Sequence, residues 1–183
     1  MFEYRGVKLT WLGHNGFRIQ NGQVIYIDPF NIADDSPRAD IVLVSHEHEA
    51  HCSVADLKKI VHTNTIIVAH SQSKDALSKI RLKELRIVKP GDKVTIGDAT
   101  IEAVPAYNLN KFIFGKWGEL GKSLKIGKLE KVFHPKQDGK LGFIVTIQVV
   151  RIYHAADTDH IPEMGDIHAD IALLPVSGTY VMT

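Results

Sequence analysis

Near the N-terminus apolar and polar residues alternate with a period of two, which predicts strands over Lys8 to Leu12, Gly16 to Gln20 and Val24 to Asp28. The last two are joined through Asn21-Gly22, a pair that tight hairpin turns favour because both residues tolerate positive φ. Ile41-Val42-Leu43-Val44 is instead continuously apolar, the pattern of a strand covered on both faces. Ser53-Val54-Ala55-Asp56 then supplies the polar cap and first-turn acid of a helix start, and that helix is predicted to reach about Val61. Thr65 to Ala69 reads as a further buried strand and Gln72 to Ile80 as a second helix. Lys93 to Ile96 and Thr100 to Val104 form a hairpin through Gly97-Asp98, and Leu141 to Ile147, Val149 to Tyr153 and Asp170 to Pro175 complete the strands. From Pro105 to Lys140 the periodicity fades and glycine and lysine become frequent; so long an irregular stretch within a domain is usually functional or mobile.

Hairpins first, then interspersed helices and a second strand-rich half, predict two mixed sheets packed face to face with helices outside. At 183 residues the chain fits one domain, residues 1–183, with a substantial core. The net charge of +1 gives no electrostatic case for nucleic acid or a membrane surface. No apolar run is long enough to span a bilayer and the N-terminus lacks the apolar core of a signal peptide, so the expected location is the cytoplasm. Cys52 is the single cysteine and cannot form an internal disulfide; it is either a small buried residue or a soft ligand beside His51.

Candidate chemistry begins directly behind the apolar run at Ile41 to Val44. Ser45-His46-Glu47-His48-Glu49-Ala50-His51 packs three imidazoles into six positions, and residues two apart in extended chain project to one side. His46 and His48 can therefore reach one cation while His51, after a turn, faces a second; neutral imidazole suits zinc. Other polar groups stand where strands end or begin: Asp28-Pro29, Phe133-His134-Pro135-Lys136 and His154-Ala155-Ala156-Asp157-Thr158. His14 lies in a Gly-His-Asn-Gly turn, either near a substrate or bonded to a neighbouring loop. His160 and His168 read as surface residues.

Taken in order, Thr10-Trp11-Leu12-Gly13-His14, Ile27-Asp28-Pro29-Phe30, Ser45 to His51, Phe133 to Lys136, Tyr153 to Thr158 and Leu173-Leu174-Pro175-Val176 resemble the metallo-β-lactamase superfamily, in particular small metal-dependent hydrolases similar to ascorbate-6-phosphate lactonase. The resemblance implies an α/β fold, an αββα four-layer sandwich of two mixed sheets with outer helices and a metal site at one sheet edge. It implies one or two divalent ions, zinc first, with manganese, iron or nickel as alternatives. His46, His48 and His134 would hold the first ion, His51 the second, and Asp157 would bridge them. His51 and Asp157 would also serve catalysis, and Asp28 and His14 would support the ligands from behind. The implied activity is hydrolysis of an ester, lactone or phosphodiester in a small-molecule substrate. Lysines of the Asn108 to Lys131 loop are placed either against an anionic substrate or in solvent.

Two departures stand out. The superfamily loop is His-x-His-x-Asp-His, and Ala50 stands at the Asp. Relatives also continue beyond the segment matching Leu173 to Met182 with a helix and a strand that bears another histidine, so the resemblance implies a C-terminally shortened domain. The final strand would then be an open edge that a second copy of the chain could cover. Both departures keep open a second class, a member that binds a metal or ligand without turnover.

Overall fold

A computed structural model of the chain describes residues 1–109, 112–114, 130–178 and 180–182. Strands β1 (Phe2–Tyr4), β2 (Val7–Gly13), β3 (Gly16–Asn21), β4 (Gln23–Ile27), β5 (Ile41–Val44), β6 (Ile66–Ala69) and β7 (Glu84–Ile87) lie side by side in chain order. β1 to β4 run antiparallel and β4 to β7 parallel. Parallel neighbours need crossovers. α1 (Val54–Ile60) provides one, and a 3-10 turn at Ser71–Ser73 followed by α2 (Lys74–Leu77) provides the next.

The second sheet contains β8 (Lys93–Ile96) and β9 (Ala99–Pro105). β10 (Phe112–Phe114) and β11 (Glu130–Val132) pair apart from it as a two-stranded ribbon. β12 (Leu141–Ile147), β13 (Val150–His154) and β14 (Ile171–Leu173) complete the sheet in the order β14-β13-β12-β9-β8, with β13 and β14 parallel.

The alternation of side chains assigns the layers. Ile41 and Leu43 of β5 join Ile25, Ile27, Phe143, Val145 and Ile152 in the core between the sheets. Val42 and Val44, pointing the other way, pack with Tyr26, Leu57, Ile60 and Leu77 beneath the two helices. That explains why β5 is apolar without interruption. On the outer face of the second sheet Ile144 and Tyr153 meet Met164, Ile167 and Met182, so among the described residues the cover there is a 3-10 turn at Pro162–Asp166 and irregular chain.

Ser53 caps α1 as its sequence predicts, its hydroxyl accepting from Asp56 N at 3.3 Å. The helix expected over Gln72 to Ile80 is much shorter. Ser78 turns its hydroxyl onto Asp75 O at 2.8 Å, competing with continuation of the helix. β1 and β7 escape the sequence pattern because they are short edge strands, and β7 carries the charged pair Glu84 and Arg86. Asn21 and Gln23 pair directly, so the β3–β4 hairpin turns on Gly22 alone, at φ 70°. Among the described residues no helix is long and apolar enough to cross a membrane.

Candidate metal centre

Several chain segments meet at one edge of the sandwich. β4 ends at Ile27 and delivers Asp28; β5 ends at Val44 and delivers Ser45 and His46; β13 ends at His154, just before Asp157. The β2–β3 turn brings His14 and Asn15, and His134 arrives ahead of β12. A backbone bond from Leu141 N to Ser45 O at 3.2 Å ties the two sheets together here. His14, Asp28, His134 and Ala156 all hold positive φ, between 48° and 56° except Asp28 at 45°. Such left-handed residues are strained, and their gathering at one edge is typical of a functional site.

Among the described residues two overlapping groups of donors could hold a cation: His46, His48 and His134, and His46, His51 and Asp157. Within each group the donor atoms lie within 4.8 Å of one another. His134 Nε2 and His48 Nδ1 are 3.3 Å apart, and Asp157 Oδ2 is 3.4 Å from His51 Nε2 and 3.9 Å from His46 Nε2. Donors tetrahedrally placed around zinc, at ordinary bond lengths, stand about 3.3 Å apart. The spacing therefore fits a metal. His46 belongs to both groups, and its Nε2 is buried without a hydrogen-bond partner.

Asp28 fixes how these rings point. Its carboxylate is fully buried and accepts from Ser45 N at 2.8 Å, from Ser45 Oγ at 2.6 Å and from His51 Nδ1 at 2.7 Å. Because the Ser45 hydroxyl donates to Asp28, its oxygen is left to accept from His46 Nδ1 at 2.9 Å. One carboxylate thus sets both imidazoles with Nδ1 protonated and Nε2 directed at the site, the usual support behind metal-binding histidines.

The electrostatics separate the rings. Burial pushes His134 down to about 4, with the Lys140 ammonium adding to the effect. Burial, then the neighbouring His51 and His134, also holds His46 well below the usual imidazole value, and burial lowers His48. These three stay neutral and ready to donate a lone pair. Burial opposes the charge on His51 too, yet Asp28 and Asp157 on either side raise it to about 9, so without a metal its Nε2 also carries a proton, which a bound cation would displace. Burial would raise the Asp157 carboxyl, but the His51 hydrogen bond and charge hold it below the carboxylate norm. Lys140, almost wholly buried, is neutralised by Glu47 through two 2.7 Å contacts.

The residues expected from sequence all lie here. His46, His48, His51, His134 and Asp157 supply the donors, Asp28 stands behind them, and the His14 ring meets that of His51 edge-on at 5.2 Å. Cys52 is buried and outside both donor groups; burial pushes its thiol up to about 11, which keeps it protonated. His160 and His168 are exposed. His154 would be expected to project off the other face of its strand, away from the site. It instead shares the inter-sheet face with Phe143, its register partner, and its Nε2 donates to Asn15 O at 2.8 Å. Asn15 itself was not legible as a site residue, although its Nδ2 donates to Asp157 Oδ1 at 2.6 Å. The lysines from Lys111 to Lys128 lie outside the described residues.

Comparison with known proteins gives the family and the fold. A family model described as a beta-lactamase superfamily domain matches residues 8–183. The chain belongs to the metallo-β-lactamase superfamily. A metal-dependent hydrolase of Archaeoglobus fulgidus is 30% identical over 189 residues, which cover 96% of this chain and 74% of the relative. One from Methanoculleus marisnigri is 28% identical, covering 96% and 71%. The crystal structure of a protein described as a metal-dependent hydrolase, from Parabacteroides distasonis, superposes with a TM-score of 0.78 at 31% identity over 97% of this chain and 73% of that one. Within the histidine loop, position 50 is Ala50, whose methyl group offers no ligand atom.

Proposed function

We propose that this metallo-β-lactamase superfamily chain is a hydrolase of ester, lactone or phosphodiester bonds that works with one or two divalent cations, zinc first among them. The observation that carries the reading is His46 Nε2, buried, unpartnered and common to two donor groups whose spacing fits a tetrahedral metal. A cation bound there supplies Lewis acidity, polarising the scissile oxygen and lowering the pKa of water beside it.

The chain's own residues do the rest. His46, His48 and His134 hold one ion as neutral imidazoles. His51 Nε2 and Asp157 Oδ2 would hold the second, because the single free lone pair of His46, on Nε2, serves one ion at a time. Asp28 keeps the Nδ1 protons of His51 and, through Ser45, of His46 on the side away from the substrate. His14 stands against His51 at the rim, where it can bond a substrate oxygen.

Ala50 favours a second reading, in which the centre binds metal without turnover, because the second donor group has three members and no carboxylate from the histidine loop. Ala50→Asp separates the two. With zinc supplied, a rise of about tenfold or more on a panel of simple esters, lactones and phosphodiesters supports a hydrolase with a weakened second position. No activity in either protein, with zinc bound to both, supports the non-catalytic reading.

A further inference from the structure

We propose that the cleft between the β2–β3 turn and the chain following β14 is the substrate site, and that it takes an uncharged apolar group, aryl or branched alkyl, next to the bond that is cut. This rests on the hydrolase reading above. The cleft measures about 410 Å³, within the range of small-molecule sites. Its walls carry Trp11, Phe17, Leu174 and Val176, and its two polar residues on the β2–β3 turn are His14 and Asn15.

Those two residues set it beside the metal centre. Asn15 bonds Asp157 and the His14 ring lies against His51, so a group seated in the cleft has the donor residues directly behind its polar wall, within reach of the neighbouring bond. Among the described residues no lysine, arginine, aspartate or glutamate lines the cleft, so there a charged substituent would lose its water and gain no counter-charge. Trp11 is 66% exposed, yet its Nε1 donates to His14 O at 2.9 Å, which fixes the indole as a wall before any ligand arrives. Leu174 and Val176 are 48% and 80% exposed, apolar surface that an apolar ligand would remove from water.

Trp11 is one of two tryptophans, so in a Trp117→Phe background its emission reports on the cleft alone. The probes are methyl phenylacetate and methyl acetate, with zinc supplied. The expected result is a saturable emission change with the phenyl ester only and a kcat/KM preference for it of about tenfold or more. Leu174→Glu and Val176→Lys should each cut the emission response and the preference about fivefold at unchanged zinc content. Turnover without an emission response, and with the same preference in parent and variants, overturns the cleft and leaves the hydrolase reading standing. A saturable response without turnover of either ester keeps the cleft and removes ester hydrolysis from the hydrolase reading, and neither response nor turnover removes both the cleft and ester hydrolysis.

Discussion

The side-chain amide of Asn15 donates to Oδ1 of Asp157 at 2.6 Å and thereby leaves Oδ2 facing His51 and His46. The carbonyl of the same residue accepts from His154, so the β2–β3 turn of one sheet is bonded twice to the end of β13 in the other. Asn15 selects which oxygen of Asp157 is free to bind a cation.

Asn15→Ala should therefore weaken zinc binding by the group containing His51 and Asp157 about tenfold, as loss of a supporting hydrogen bond behind a ligand usually does. Competition against a chromophoric chelator measures this directly. An unchanged affinity would mean that Asp157 is oriented by its backbone alone.

Asp28→Asn probes the network behind the histidines. The Asp28 carboxylate accepts from three donors, Ser45 N, Ser45 Oγ and His51 Nδ1, and an amide offers only one acceptor oxygen in the same space. Breaking so buried an arrangement should cost about 3 kcal/mol, read as a lower denaturant midpoint in metal-free protein. A midpoint within experimental error of the parent would show that the network contributes nothing to the fold.

Asp56 gives a pH signature remote from the donors. Burial would raise its carboxyl, but hydrogen bonds from Ser53, from the Ile32 and Asn31 amides and from Lys59 hold it below the usual range. A depressed carboxyl contributes stability that is fully present above its unfolded pKa, about 3.9, and is lost as pH falls through the folded value. Asp56→Asn should be less stable than the parent by of the order of 1 kcal/mol at pH 7, and the difference should shrink in urea melts at about pH 3. A gap that stays constant with pH would assign it to packing instead of charge.

How far these features could be read from sequence depends on their range. β5 and α1 were legible because an unbroken apolar tetrad and a Ser53 cap are local signals, and the three imidazoles of the histidine loop follow from one strand end. His134 and Asp157 became candidates only through their motifs, since their approach to His46 depends on how two sheets stack. Asn15 carried no signal beyond a turn: an asparagine in a Gly-His-Asn-Gly turn ordinarily serves its own backbone, and the bond tying β2–β3 to β13 gives it another task. The inward direction of His154 likewise depends on β12–β13 register. The helix over Gln72 to Ile80 failed because a serine side chain at position 78 outcompeted the periodicity.

The central claim is that His46 joins two donor groups that hold a divalent cation, and the most direct measurement is zinc content per chain by elemental analysis after reconstitution and removal of excess metal. At least one equivalent in the parent and near zero in His46→Ala is the predicted result, because that substitution takes a donor from both groups at once. No bound zinc in the parent, or equal content in the variant, would contradict it.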